Sequence, residues 1–139
     1  MSTILQIINA DRNLSLFSRG LKIAELDNKL NEAGPFTILG PVNLAFSRLT
    51  SPTYDQLLEP IHREKLLDLL SGYIFSGKKM FYNFRNDQKL AALNGSQISI
   101  AVRNGETYIN GAKILSKDRQ GSNGVIHLLD KTYALAEAE

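Results

Sequence analysis

Apolar residues change their spacing near Tyr73, and this change limits the folds open to the chain more than any other feature. Before Tyr73 they recur at helical spacing, as at Ile4, Ile7 and Ile8. After Tyr73 the chain consists of short β-rich runs broken by glycine and asparagine. Helices followed by a block of mostly antiparallel strands are typical of the α+β class, and they argue against a parallel α/β sheet.

Start and stop signals divide the helical block. Gly20 is expected to break the second helical stretch into two helices, because glycine is a poor helix former. The pair Gly34-Pro35 is a strong helix stop, and the following residues 36–39, FTIL, are predicted to form a short buried strand. The polar residues placed to cap helices are Ser2 or Thr3, Asn43 and Thr53.

Asparagine–glycine pairs divide the second block. Asn104-Gly105 separates ISIAVR from ETYI and is predicted to be a two-residue hairpin turn, because both positions need positive φ. Asn94-Gly95, Asn110-Gly111 and Asn123-Gly124 are expected to be further turns. No repeat or linker interrupts the chain, so residues 1–139 are expected to form a single domain.

Composition argues against several functional classes. The 139 residues include 16 basic and 14 acidic side chains, and a net charge of +2 does not predict a nucleic-acid binder. There is no cysteine, and the two histidines, His62 and His127, are far apart, so neither a metal nor another cofactor is expected. No apolar run approaches the ~20 residues of a membrane span. The first residues do not resemble a signal peptide, so we expect a cytosolic protein or one whose export signal has been removed.

The stretch GSNGVIHLLD, residues 121–130, contains the three side chains of a nucleophilic triad. A strand over these residues would place His127 and Asp130 on opposite faces, because neighbouring side chains alternate. Ser122 would lie in the preceding turn, several residues from His127. We therefore expect no catalytic site here, but a histidine packed in a sheet with its ring hydrogen-bonded.

Basic and aromatic residues interleave after the helical block. Phosphate contact combined with base stacking uses these residue types, but aromatic residues beside strands more often belong to the core. A polyanionic glycan fits the pattern better than a nucleic acid does. The residues concerned are Lys78, Lys79, Phe81, Tyr82, Phe84, Arg85 and Lys89.

Two separated stretches resemble a known family. They are FTILGPVNLAFSRL, residues 36–49, and INGAKILSKDRQGSNGVIHLLDKTY, residues 109–133. Together they resemble the fasciclin domain family, whose two patterns are Thr-Val-Phe-Ala-Pro-Thr-Asn-x-Ala-Phe and Asn-Gly-Val-Ile-His-x-x-Asp. We call these matches the first and second boxes. The matching positions are Thr37, Pro41, Asn43, Ala45, Phe46, Asn123, Gly124, Val125, Ile126, His127 and Asp130.

This resemblance implies a wedge-shaped β-sandwich with N-terminal helices packed along it. It also implies a non-enzymatic module, extracellular or at the cell surface, that binds a cell-surface or matrix protein or a polysaccharide. A carrier of a small apolar ligand, held between helices and sheet, stays open as an alternative. Within the boxes, Thr37, Asn43 and Asn123 are expected to tie turns and strand ends.

Departures from the family pattern suggest where a partner would bind. Animal members often carry an Asp-Ile pair, linked to integrin binding, where this chain has Asp118 and Arg119, so integrin-type recognition is not expected. The family's central Tyr-His pair aligns with Gly72 and Tyr73. The candidate partner-binding residues are Asp118, Arg119 and Gln120, expected to be exposed before the turn, together with Tyr73.

Overall fold

The computed structural model describes residues 1–50 and 52–133 and shows helices packed on one face of a sheet. Short 3₁₀ turns connect some of these elements. The helices are α1 Ile4–Ala10, α2 Ser15–Ile23, α3 Leu26–Leu30, α4 Asn43–Ser47, α5 Tyr54–Leu57 and α6 Arg63–Ser71. The strands are β1 Phe36–Pro41, β2 Ile74–Ser76, β3 Lys89–Ala91, β4 Gln97–Arg103, β5 Glu106–Ile109, β6 Ala112–Gly121 and β7 Gly124–Leu129.

These strands form one sheet in the order β2-β1-β7-β6-β5-β4-β3. The predicted α+β class is confirmed. The β-sandwich part of that prediction is not confirmed, because the described strands join into one continuous mixed sheet. The pair β1–β7 runs parallel and the other neighbouring pairs are antiparallel. Both strands of the parallel pair are buried along their whole length, as is usual for parallel strands covered on both faces.

Different parts of the chain pack against the two faces of the central strands β1 and β7. A Cβ atom added at Gly40 of β1 would lie 3.4 Å from Leu14 and 3.6 Å from Phe17, so this face meets the helices. His127 of β7 lies opposite Leu39 in the register and therefore points to the other face. There its ring meets Phe84 edge to face, with 5.3 Å between the ring centroids.

Local signals set several boundaries as predicted. Thr3 and Thr53 each accept a hydrogen bond from the amide three residues ahead and begin a helix with a capping box. At the β4–β5 hairpin, Asn104 and Gly105 have φ values of 53° and 80°, so the predicted turn is confirmed. Asn43 was wrongly predicted to be a cap, because it is the first residue of α4 and Val42 is the N-cap.

Gly20 lies inside α2 and does not break it, contrary to the prediction. The helix ends at Ile23, and Glu25 takes the left-handed conformation with φ of 62° before α3. The glycine is needed for packing, because a Cβ atom there would lie 2.1 Å from the Tyr54 hydroxyl oxygen. That hydroxyl donates to the Leu16 carbonyl at 2.7 Å and joins α5 to α2.

Gly20→Ala should therefore destabilise the protein, although alanine is the better helix former by about 1 kcal/mol. Overpacking typically costs about 1–3 kcal/mol, and the close approach to Tyr54 and Leu70 places this substitution at the upper end of that range, so the cost should exceed the gain. Chemical denaturation of the variant measures the difference. In a Tyr54→Phe background, which removes the nearest atom, the same substitution should cost less. Equal costs in the two backgrounds would contradict this account of the glycine.

Candidate functional site

His127 lies at the centre of β7 and is fully buried. Its Nδ1 accepts a hydrogen bond from the Asp118 amide at 3.2 Å, so Nε2 carries the proton and donates to the Lys79 carbonyl at 2.8 Å. Burial lowers the pKa of the ring, while the hydrogen bond to Lys79 and the charge of Asp118 partly oppose this effect. Both ring nitrogens are thus engaged by the backbone, and neither is available to take a proton from a substrate.

The other two triad candidates lie elsewhere. Ser122 is exposed in the β6–β7 turn, where its amide donates to the Ser2 carbonyl at 2.8 Å. Asp130 follows β7 and accepts from the Lys113 amide at 2.8 Å. Neither residue is among the hydrogen-bond partners of His127, so the geometry provides no nucleophile–base pair.

Thr37 and Pro41 of the first box lie on β1, next to β7. The Thr37 hydroxyl donates to the Gly77 carbonyl at 2.6 Å and accepts from the Lys79 amide at 2.8 Å. Together with His127, it therefore holds residues 77–79 over this face of the sheet. Pro41 is buried at the end of β1, opposite Leu129.

Asn43 and Phe46 of the first box connect α4 to the other helices. The Asn43 side chain accepts from the Leu16 amide at 2.9 Å and donates to the Arg12 carbonyl at 2.9 Å. It thereby satisfies an amide at the start of α2, as a capping residue would, although it is distant in the sequence. Phe46 is fully buried and stacks on Tyr54, with 4.3 Å between the ring centroids.

Asn123 of the second box fastens two helices to the β6–β7 hairpin. Its Oδ1 accepts from the Ile4 amide at 2.9 Å, and its Nδ2 donates to the carbonyls of Leu30 and Glu32, both at 2.9 Å.

Gly124 belongs to β7 and not to the turn, which consists of Ser122 and Asn123. A Cβ atom at Gly124 would lie 2.2 Å from the Phe36 carbonyl oxygen, so this glycine lets β1 and β7 approach.

Asp118, Arg119 and Gln120 lie within β6 and not in the loop that the sequence predicted. Asp118 and Arg119 are half-buried, and Gln120 is exposed. Asp118 adopts φ of 59° at an irregularity in the strand register, where its carboxylate accepts from the Phe81 amide at 2.8 Å. Arg119 forms an ion pair with Asp11. The expectation of three exposed side chains is therefore wrong for Asp118 and Arg119, because their charges have partners within the fold.

Tyr73 is fully buried, so its predicted contact with a partner is wrong. Its hydroxyl accepts from the Tyr133 amide at 2.8 Å, and the two rings lie 4.4 Å apart. Tyr73 also meets Phe17 edge to face in the helical layer. Tyr73 fills the core between α2 and the segment after β7. The spacing of apolar residues in the sequence did not indicate this core position.

Several solvent-facing side chains lie on β6 and on residues 77–86, a segment that contacts β6 through Lys78 and Phe81, and we call them the basic surface. Lys78 donates to the Gln120 side chain at 2.5 Å, and the Lys117 ammonium lies 4.0 Å from the centre of the Phe81 ring. The sequence indicated the basic and aromatic residues of the segment 77–86, but not that this segment contacts β6. The basic surface consists of Lys78, Lys79, Tyr82, Arg85, Lys117 and Gln120.

A carrier of small apolar ligands would need a pocket between the helices and the sheet. The structure has an apolar depression of about 320 Å³ beside α4, at the lower limit of the volume usual for ligand pockets. It is partly open to solvent. Its lining residues are Ala45, Arg48, Leu49, Lys131 and Thr132.

Within residues 1–50 and 52–133, no three side chains of the His, Cys, Asp and Glu types come together in a way that could hold a metal ion. The helices of the same ranges are too short or too polar to cross a bilayer.

Comparison with known proteins identifies relatives over nearly the whole chain. A family model described as the Fasciclin domain matches residues 12–133. Protein sll1483 of Synechocystis sp. is 32% identical over 129 residues, which are 93% of this chain and 71% of that protein. Transforming growth factor-beta-induced protein ig-h3 of Sus scrofa is 29% identical over 132 residues, which span 94% of this chain and 19% of that protein.

The fold also matches a solved structure. A FAS1 domain pair from the insect cell adhesion molecule Fasciclin I superposes with a TM-score of 0.86 at 16% sequence identity. The match covers 98% of this chain and 52% of that chain. This likeness shows the fold, including the helical layer and the mixed sheet.

Asn123→Ala should destabilise the protein by about 3 kcal/mol, because it leaves the Ile4 amide and two carbonyls without their partner. Asn123→Asp should also destabilise it, since a carboxylate would face the Leu30 and Glu32 carbonyls. Chemical denaturation measures both changes. Asn28→Ala, at an exposed position of α3, is the control and should change stability by less than about 0.5 kcal/mol. Equal effects at the two asparagines would contradict the tethering role of Asn123.

His127 should make the fold sensitive to acid. The folded ring has a pKa below its ordinary value of 6.5, so below that pH the unfolded state binds the proton more strongly. Its contribution to stability is complete above about pH 6.5 and declines as the pH falls towards the folded pKa. Unfolding from about pH 7.5 to about pH 5 should show a smaller pH dependence in His127→Gln than in His62→Gln. The same dependence in both variants would rule out His127 as its source.

Proposed function

The chain belongs to the fasciclin domain family, and from this membership we propose that it is a non-catalytic binding module of an adhesion protein. The proposal assigns it an extracellular or cell-surface location. Its partner would be a cell-surface or matrix protein or a polysaccharide. The solved structure that shares its fold comes from a cell adhesion molecule, which supports this assignment.

One observation carries the proposal: the polar side chains of the two boxes are used inside the protein. Thr37, Asn43, Asn123 and His127 donate to or accept from distant backbone groups. A catalytic group must reach a substrate with a free proton donor or acceptor, and these four do not. The boxes therefore support a rigid scaffold, and binding is left to solvent-facing side chains.

We assign the partner contact to the basic surface. Gln120 and Tyr82 are exposed there, with 70% of the Tyr82 side chain accessible. Asp118 and Arg119 lie beneath or beside them and act by holding Phe81 and the N-terminal segment in place. Gln120 lies on β6 and Tyr82 on the short 3₁₀ turn Phe81–Asn83, which Asp118 holds through the Phe81 amide. Groups held in this way are suited to binding, because little order is lost when a partner docks.

Beads coated with the domain should be retained by cells of the species that encodes it, above the level of albumin-coated beads. Retention should fall for Tyr82→Ala combined with Gln120→Ala. The matched control, Ile61→Ala combined with Asn28→Ala, removes one large and one amide side chain from the helical side and should leave retention unchanged. Retention at the albumin level for the native domain would contradict an adhesive function.

A further inference from the structure

The chain's charges are segregated in a way that its net charge conceals. Residues 77–86 and strand β6 together contain six of the 16 basic residues and one of the 14 acidic residues. The remainder has ten basic and thirteen acidic residues and is therefore net negative. Hydrogen bonds with Thr37 of β1, His127 of β7 and Asp118 of β6 hold residues 77–81 against the sheet. Lys113 and Arg119 pair with Glu106 and Asp11, which leaves Lys78, Lys79, Arg85 and Lys117 as the excess of positive charge in these two segments.

Neutral groups position several of these cations. The Lys78 ammonium contacts the Gln120 amide, the Lys117 ammonium lies over the Phe81 ring, and the Arg85 guanidinium donates to the Phe84 carbonyl at 3.2 Å. Among the residues that the structure describes, none of these three forms an ion pair with a carboxylate. Their positive charge is oriented by the fold but not neutralised, which favours an anionic ligand.

The aromatic residues distinguish between two kinds of polyanion. Single-stranded nucleic acids stack successive bases on several exposed rings. Here Phe84 is buried and Phe81 is half-covered beneath Lys117, so Tyr82 is the ring that projects into solvent. One exposed ring among cations and amides fits a sugar chain, whose ring faces are apolar and whose hydroxyls need hydrogen-bond partners.

A groove beside Lys117 offers room for such a chain. It has a volume of about 230 Å³ and runs between the β5–β6 hairpin and Phe81. Ser116 lines part of it, and Glu106, whose carboxylate is paired with the Lys113 ammonium at 2.6 Å, lines another part. The lining side chains that a sugar would meet include Phe81, Ser116 and Lys117, whereas Thr107 is buried.

We infer that the basic surface binds an acidic polysaccharide, with Lys78, Arg85 and Lys117 contacting sulfate or carboxylate groups and Tyr82 stacking on a sugar ring. This inference rests on the proposed function and names the class of its partner. The charge contacts should weaken as salt is added, because exposed ion pairs are screened. Lys79 contributes charge at the inner edge of the surface, where it is half-buried.

Immobilised dextran sulfate, polygalacturonate and neutral dextran test the inference. The domain should bind one or both anionic chains and not neutral dextran. Lys78→Ala combined with Lys117→Ala should weaken that binding about tenfold, and Tyr82→Ala should also weaken it. Lys22→Ala combined with Lys65→Ala, which removes equal charge from exposed positions of the helices, should have little effect. Circular dichroism verifies that each variant is folded.

Three results would overturn the inference: no binding to either anionic chain, equal losses from both lysine pairs, or equally tight binding to duplex DNA with no effect of Tyr82→Ala. The last result would indicate simple ion exchange. Retention of coated beads by cells, measured in parallel, separates the two proposals. If retention persists while polysaccharide binding fails, the adhesive function stands and its partner belongs to another class.

Discussion

Most of this structure depends on the position of β7 between β1 and β6. The strand is buried on both faces, and it can lie beside β1 because Gly124 has no side chain to collide with the Phe36 carbonyl. Asn123, directly before it, binds the start of α1 through the Ile4 amide and the end of α3 through the Leu30 carbonyl. Because a buried polar group is costly when unpaired, these bonds fix how the helices sit on the sheet.

The fold was predictable where the signal is local. Thr3 caps a helix through the amide three residues ahead, and Asn104 forms a hairpin turn with the adjacent glycine. Both structures can therefore be predicted from a few neighbouring residues. Gly20 and Asn43 were misassigned because their roles depend on residues far along the chain. The parallel pairing of β1 with β7 was missed for the same reason: apolar runs show that strands are buried, but not which strand lies beside which.

The candidate site was predictable in composition but not in placement. The sequence identified Lys78 and Arg85 near aromatic residues, and it separately identified Gln120 as exposed. It could not show that these segments touch, because Thr37 and His127, on two other strands, hold the first segment in the position where Lys78 meets Gln120. The net charge of +2 was misleading for a related reason. It sums all the charged side chains and therefore does not show that basic side chains come together in the folded protein.

The central place of β7 also affects how the domain forms during synthesis. It comes last among the strands that the structure describes, yet without it the sheet separates into β2-β1 and β6-β5-β4-β3. A nascent chain still lacking β7 on the ribosome therefore exposes the open edges of β1 and β6, which are templates for wrong pairing. The sheet can consequently be completed only after translation has passed Leu129.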